Sequence, residues 1–513
     1  MVEIGIKPRE YQQKIFETAR DANTLVVLPT GLGKTLIALM LAANRIEKYP
    51  GSKILILAPT RPLVEQHFES FTKNLPDLFA DLQIFTGSVH ASNRRKIFET
   101  AEIIFSTPQC IANDLRAGLY KMDQVSLLVI DEAHRCLKNY DYTTVVEYYK
   151  RQATNRRILG LTASPGHDAA KVKEICNHLD IKEIEVRTRE SDDVGQYLQK
   201  LDFTRIDVPF PPSFLELKIL LKRIFDAKVN ELKAKNYLFG PANKITLLKL
   251  QTRLAREVGQ RNFSAMWGMS LTAQAIKISH AMELLETQTL SGLNDYLRGL
   301  IKQAQDKKSR GVQSLVKMPE FNAAMISLTE LLAKKIEHPK IEQCALVVEE
   351  EFKENSKAKI IIFSQFRETA LKIAGRVNML EGVRAATFFG QANRAQTGLS
   401  QKEQKEVIVK FKTGEINALC STSIGEEGLD IPEVNAVIFY EPIPSAIRKI
   451  QRAGRTARLA PGKLFILMTE DTRDEIHHYA SRAREKSMYS VIEKVRQELK
   501  NKPKTLEDFR GEN

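Results

Sequence analysis

The stretch LVVLPTGLGKTLIAL (25–39) puts two glycines, a lysine and a threonine between a strand-like apolar run and a helical one. Glycine lets backbone N–H groups close on a phosphate chain, and the N-terminus of the next helix adds partial positive charge. Gly31, Gly33, Lys34 and Thr35 therefore suit a nucleoside triphosphate, with Lys34 toward the β/γ-phosphates and the Thr35 hydroxyl on Mg²⁺. Leu28 occupies the position where the general GxxxxGK[ST] pattern has its first glycine. A second element supports the reading. VSLLVIDEAH (125–134) reads as a buried strand ending in Asp131 and Glu132, and open parallel sheets bind ligands at the carboxyl ends of their strands. There Asp131 can hold Mg²⁺ through water, and Glu132 can orient and deprotonate an attacking water. A solvated acidic turn is the plain alternative, and Lys34 and Thr35 upstream weigh against it. The third element, QRAGRTAR (451–458), offers Gln451, Arg455 and Arg458 just before a strand-like run. Planar, permanently charged guanidinium groups can stabilise charge spreading over a γ-phosphate. Taken alone, the same residues also suit a solvated helix face.

Positioning these residues takes two α/β units. TLVVLP, KILILAPT, LQIFTG, EIIFSTP, SLLVIDE and RILGLTAS alternate with helical stretches up to about residue 200; AKIIIFSQ, RAATFFG, ALCSTS, AVIFYEP and LFILMTE do so after about 335. Such alternation implies parallel sheets covered by helices. The segment between reads as helices, with Leu217, Leu221, Ile224, Phe225, Val229 and Leu232 at helical spacing and Lys218 and Lys222 one turn apart. Pro209, Pro211 and Pro212 punctuate its entry, and Gly240-Pro241 is expected to end its first long helix. The expected units are 1–200, 201–335 and 336–513, about as many as 513 residues imply. The tail from 471 reads as one long surface helix. Its adjacent His477 and His478 point about 100° apart, which does not suit a metal.

The net charge is +14. By itself this fits either a polyanionic partner or a generally basic protein. Residues 201–335 hold 21 Lys+Arg against 12 Asp+Glu, most of the excess, and KKSRG (307–311) reads as an exposed basic turn. The lone Trp267 falls in this segment, where core packing is expected. No apolar run reaches the length of a membrane span and the N-terminus lacks a signal-peptide core. Five scattered cysteines without a CxxC pair argue against a zinc ribbon and for a reducing compartment. A cytoplasmic, nucleoid-associated protein is expected.

The ordered set PREYQ (8–12), PTGLGKT (29–35), APTRPLVEQ (58–66), FTGSV (85–89), STPQ (106–109), DEAH (131–134), LTASP (161–165), FSQFRET (363–369), FFGQ (388–391), STSIGEEGLDIP (421–432) and QRAGRTAR (451–458) resembles superfamily 2 helicases. With DEAH and a long helical insertion, it is similar to the helicase part of the archaeal Hef helicase/nuclease and of the Fanconi anaemia complementation group M translocases. The resemblance implies two RecA-like P-loop domains with parallel sheets, separated by a basic all-α, thumb-like insertion. It implies that Gln12 and Arg9 read adenine, and that Thr30, Gly31, Gly33, Lys34, Thr35, Gly428 and Asp430 bind the nucleotide, Asp430 at the ribose. His134, Thr162 and Ser164 would couple hydrolysis to movement. Thr60, Arg61, Gly87, Thr107, Ser364, Gln365, Gly390, Gln391 and Thr422 would face one DNA strand, through groups that hold phosphate without reading bases. Lys307, Lys308 and Arg310 would touch DNA from the insertion. ATP and Mg²⁺ are the implied cofactors, forked or four-way DNA the implied partner, and the two α/β domains would ratchet along the strand, usually 3′ to 5′. Two departures stand out. Ala457 replaces a frequent glycine, with little effect expected. No ERKxxxD stretch follows, so DNA cleavage is not expected of this chain, and a nuclease domain or partner would lie outside it. A double-stranded-RNA helicase of the innate-sensor or Dicer type is an alternative, though those more often show DECH. A nucleic-acid-binding scaffold with a dead motor is another, opposed by the full set of catalytic residues.

Overall fold

Seven strands build the first sheet: β1 (Thr24–Val27), β2 (Lys53–Leu57), β3 (Leu82–Phe85), β4 (Ile103–Ser106), β5 (Val125–Ile130), β6 (Ile158–Thr162) and β7 (Glu183–Val186). Every pairing is parallel, in the order β3-β4-β2-β5-β6-β1-β7. The computed structural model describes residues 4–501 apart from 77–78, 88, 139, 198–199, 261, 263, 391–398, 423–430, 444–455 and 457–460. β1, β2, β4, β5 and β6 are buried at every position, as helices on both faces require. Successive side chains then feed opposite cores. Leu25, Val27, Leu55, Leu57, Leu128 and Ile130 join one cluster, and Val26, Ile54, Ile56, Leu127 and Val129 the other.

The second sheet is also wholly parallel: β8 (Leu201–Val208), β9 (Ile360–Phe363), β10 (Ala385–Phe388), β11 (Ala418–Ser421), β12 (Ala436–Phe439) and β13 (Gly462–Thr469), in the order β10-β11-β9-β12-β13-β8. Here one expected boundary shifts. Residues 201–208 were assigned to the helical insertion, but they pair with all of β13 as the edge strand of the second sheet. Their half-exposed, polar-rich LDFTRIDV suits an edge, where only one side is paired.

The insertion proper is helical. The helix Leu215–Ala234 runs about 30 Å outward at 1.5 Å per residue, and Ala265–Thr287 returns. The outgoing helix stops at Ala234, before Gly240-Pro241, and Leu238 tucks into a small distal core with Leu247, Leu250 and Leu254. A larger proximal core, Phe214, Leu217, Leu221, Ile278, Leu285, Leu293 and Phe321 among them, reaches Phe366 of the second domain. Buried polar groups fasten this end. Lys340 and Asp474 form a fully buried ion pair at 2.7 Å, and Asp474 also accepts Thr469 N–H at 3.0 Å. The Gln288 side chain accepts from the Thr369 hydroxyl at 2.8 Å and donates to Glu441 at 3.2 Å.

The tail helix, Arg473–Lys500, is not the surface helix expected. It starts against β13 and the helix Ala265–Thr287, then crosses to the first domain. There Met488, Ile492 and Val495 are buried in the core that contains Val172, Ile175 and Ile184. Their i, i+4, i+7 spacing makes one apolar stripe. His478 is buried and, among the described residues, no cluster of metal-ligating side chains occurs. No described helix is long and apolar enough to cross a membrane. All five cysteines are buried and unbridged.

Candidate functional site

The turn after β1 carries the phosphate loop. Gly31 and Gly33 adopt φ of +85° and +74°, where a side chain is strained. A Cβ on Gly33 would also lie 2.3 Å from Gln12 Nε2. Gln12 Nε2 donates to the Leu32 carbonyl at 3.1 Å, Tyr11 Oη donates to the same oxygen at 2.9 Å, and Gln12 Oε1 accepts from Arg9 N–H at 2.9 Å. Gln12 thus clamps the loop from the helix Glu10–Asp21. The Arg9 guanidinium lies 4.9 Å from the Tyr197 ring centre, next to this clamp. Lys34 Nζ donates to the Leu28 carbonyl at 2.9 Å. Thr30 Oγ1 is buried with no hydrogen-bond partner among the described residues.

β5, separated from β1 by β6, brings up both carboxylates. Asp131 and Glu132 are only 6% and 8% exposed. Asp131 Oδ2 meets His67 Nε2 at 2.8 Å, and Asp131 Oδ1 accepts Glu132 N–H at 2.9 Å. Burial pushes the Asp131 carboxyl up, but the His67 hydrogen bond, then the charges of His67 and Lys34, bring it below its usual range. Glu132 sits in the left-handed region at φ +50°. For a non-glycine residue this costs about 1–2 kcal/mol and clusters at functional sites. The bend is held by Asp131 N–H on the Leu57 carbonyl at 2.9 Å and Tyr142 Oη donating to the Asp131 carbonyl at 2.7 Å. Glu132 Oε2 lies 3.2 Å from His134 Nδ1 without hydrogen-bond alignment. The same His134 nitrogen faces Thr162 Oγ1 at 3.2 Å, and Thr162 Oγ1 exchanges hydrogen bonds with the Ser164 backbone at 3.1 Å. His134, Thr162 and Ser164 are therefore brought together as a chain leading away from Glu132. It ends on the tail helix, where Ser164 Oγ contacts Met488 Sδ.

The remaining candidates sort by sheet order. Nucleotide candidates follow β5, β6 and β1, which are adjacent. Thr60, Arg61, Gly87 and Thr107 follow β2, β3 and β4, the other side of the same sheet. In the second sheet Ser364 and Gln365, Gly390, and Thr422 follow the adjacent β9, β10 and β11. Arg61 pairs with Glu65 at 2.9 Å, and Lys405 of the second domain reaches the other Glu65 oxygen at 2.9 Å. A Cβ on Gly87 would meet nothing, so this backbone is open to a close approach. Lys307 and Lys308 lie in an exposed turn of the insertion and the exposed Arg310 opens the next helix, with Lys307 at φ +53° and Lys308 on Asp306 at 3.0 Å. Gln391, Gly428, Asp430, Gln451, Arg455 and Arg458 lie outside the described residues. Three residues were missed by sequence reading: His67, Tyr142 and Met488. His67 lies on the helix that begins at Arg61, one face away from the APTRPLVEQ stretch, with no local signal of its partner.

Residues 9–172 match the DEAD/DEAH box helicase family, 341–460 the helicase conserved C-terminal domain, and 214–337 the helical bundle of a putative ATP-dependent RNA helicase family. Fold, phosphate loop, carboxylate pair and these matches define the class, an ATP-dependent superfamily 2 helicase. The crystal structure of the Pyrococcus furiosus Hef helicase domain matches with a TM-score of 0.70 at 39% identity, covering 94% of this chain and 100% of that one. The chain belongs to this Hef-type family of DEAH-box helicases. It is 37% identical over 494 residues to a putative ATP-dependent RNA helicase of Methanocaldococcus jannaschii, covering 96% of this chain and 61% of that protein. It is 33% identical over 529 residues to the Fanconi anemia group M protein homolog of Mus musculus, covering 96% and 26%. To an ATP-dependent DNA helicase of Schizosaccharomyces pombe it is 34% identical over 481 residues, covering 91% and 57%. The chain thus spans between about a quarter and three-fifths of these curated relatives.

Proposed function

We propose that the chain hydrolyses ATP to move on DNA and remodels forks and four-way junctions in repair of replication forks. The observation that carries this reading is the sheet order. The residues assigned to the nucleotide follow one side of the first sheet, and Thr60, Arg61, Gly87 and Thr107, assigned to DNA, follow the adjoining strands. His67 spans the two sides, from the helix of Arg61 to Asp131.

The cradle fits Mg²⁺·ATP. Gly33 sits at φ +74°, where a side chain is strained, and among the described residues Thr30 Oγ1 and Glu132 Oε2 are buried without a hydrogen bond. ATP with Mg²⁺ supplies the transferable γ-phosphoryl group. Lys34 would exchange the Leu28 carbonyl for phosphate oxygens, and Thr35 and Asp131 would hold the metal. Glu132, strained and buried, would orient the attacking water and take its proton. His134, Thr162 and Ser164 would pass the change in Glu132 to the DNA side, and Gln451, Arg455 and Arg458 would complete the site from the second domain. Gly428 and Asp430 belong to the same reading. Bound nucleotide would favour closure of the two sheets, and closure does work only because each state holds the strand differently.

ATP turnover and strand separation across matched single strands, blunt duplexes, forks and four-way junctions test the proposal. Forks and junctions should stimulate most, and equal stimulation by single strands removes the branched-DNA part. Duplex RNA is the competing arm, because the Methanocaldococcus jannaschii relative and the helical-bundle family carry RNA in their names. The 2′-hydroxyl and A-form shape let a protein discriminate the two. Stimulation by duplex RNA above forked DNA would replace the reading.

A further inference from the structure

The outer end of the insertion departs from what its sequence suggested. Trp267 is 55% exposed rather than packed in a core. Its neighbour explains why. Gly268 is buried against the Tyr237 ring, whose atoms lie 3.0 Å from where a Cβ would stand. One residue along a helix is a turn of about 100°, so with Gly268 inward Trp267 faces out. The Tyr237 hydroxyl donates to the Ser264 carbonyl at 2.9 Å, and Arg253 Nη2 donates to the Tyr237 carbonyl at 2.7 Å. These bonds fasten the 235–238 turn to the start of the returning helix and hold Lys235 Nζ 5.6 Å from the Trp267 ring centre. The backbone that carries the exposed tryptophan and its lysine is therefore held in place.

The surroundings indicate what it meets. Phe239 is 71% exposed and Met266 49%. Singly exposed apolar side chains are ordinary on a surface, and what sets this place apart is the indole with its cation, Lys235. Between 233 and 260 the chain carries Lys233, Lys235, Lys249, Arg253 and Arg256, all exposed, against Glu257 alone, while Lys244 pairs with Glu283 toward the other end of the returning helix. Aromatic faces set among cations suit unpaired nucleobases and their phosphates, since every base offers a π-face while a duplex hides it. A protein partner for so basic a surface would have to be strongly acidic, whereas the DNA of the proposed substrate already supplies the charge.

We propose that Trp267 and Lys235 form a base-stacking site at the outer end of the insertion, which holds an unpaired nucleotide of the strand displaced at a DNA branch, about 30 Å from where the insertion joins the second domain. The proposal rests on the DNA reading above.

Trp267 is the sole tryptophan of the chain, so its fluorescence reports this site alone when excited at the red edge of the absorption. Titrating the native chain with a fork bearing unpaired arms should quench the emission and shield it from acrylamide. A blunt duplex of equal length should leave both unchanged. Trp267→Ala should weaken fork binding roughly 5- to 150-fold, from about 1–3 kcal/mol per stacked base, and Trp267→Phe should keep most of it. Fork bound at full affinity with emission unchanged overturns the site and leaves the surface facing protein. Equal quenching by the blunt duplex overturns the unpaired-base assignment. If neither forks nor single strands bind at all, the proposed function itself falls. A fork that still stimulates ATP turnover in Trp267→Ala at saturating DNA separates the two failures.

Discussion

The carboxyl end of the first sheet and the outer end of the insertion handle polar groups in opposite ways. In the first, Asp131, Glu132, Thr162 and Ser164 are buried and held by short hydrogen bonds, one of them on a strained backbone. In the second, five cations and an indole face solvent. Chemistry needs groups fixed before the ligand arrives, because reorganisation at the moment of reaction adds to the barrier. Tracking along a polyanion needs reach and charge, and its strength then depends on salt. One site should thus respond to single atoms and the other to summed charge.

The largest expected effect is at the phosphate loop. Lys34→Ala should lower ATP turnover on the order of 10³-fold or more, measured as phosphate release, and unchanged turnover would refute the assigned site. Next comes the buried pair at the insertion's base. Lys340→Met leaves Asp474 charged and buried, which should cost about 3–5 kcal/mol in urea unfolding. Adding Asp474→Leu should restore most of it, and a single variant as stable as the parent would show the pair to be solvated. His67→Ala should reduce the DNA-stimulated kcat by about 10-fold with the KM for ATP little changed, as loss of a group that orients a metal ligand does. A change confined to KM would make His67 a binding residue instead.

Charge on the insertion should act in smaller, additive steps. Replacing Lys233, Lys249 and Arg256 by Ala should flatten the slope of log affinity against log salt by roughly 0.7 per lost single-strand contact. Charge reversal at Lys307, Lys308 and Arg310 should weaken fork binding more than single-strand binding, and equal loss on both removes branch selectivity from that turn. The smallest effect is acid stability. Burial pushes the Glu283 carboxyl up, but His280 and Lys244 hydrogen bonds bring it from 4.5 down to about 2. A depressed carboxyl stabilises the fold above about pH 4.5, and that contribution fades between there and about pH 2. With Lys244 half exposed, Glu283→Gln should remove about 1–2 kcal/mol at neutral pH and flatten this part of the acid unfolding curve.

The residues that were legible are those whose structure is local. Continuous apolar runs such as VSLLVI and KILIL name buried parallel strands without reference to anything else. β8 was not legible, because its half-polar pattern makes sense only beside β13, more than 250 residues later in the chain. Trp267 was misread for a related reason, since its direction is set by Tyr237 packing on Gly268. His67 offers no spacing signal, as its partner is 64 residues away. The apolar stripe Met488, Ile492, Val495 was visible in the sequence, but the groove it fills belongs to the first domain, so the tail was read as a surface helix.

That tail sets a limit on motion. Its 28 residues make a rod of about 42 Å. One end is pinned in the second domain by the buried Asp474, and the other is sunk into the first domain by three apolar side chains, behind Ser164. Two bodies joined by a rod cannot separate freely. They can swing about its seats, or one seat must pull out, at a cost of roughly 1.5–3 kcal/mol for each buried side chain exposed. On the proposed function the tail would act as a stay that bounds the stroke of the two domains, and shortening it should raise ATP turnover per strand separated.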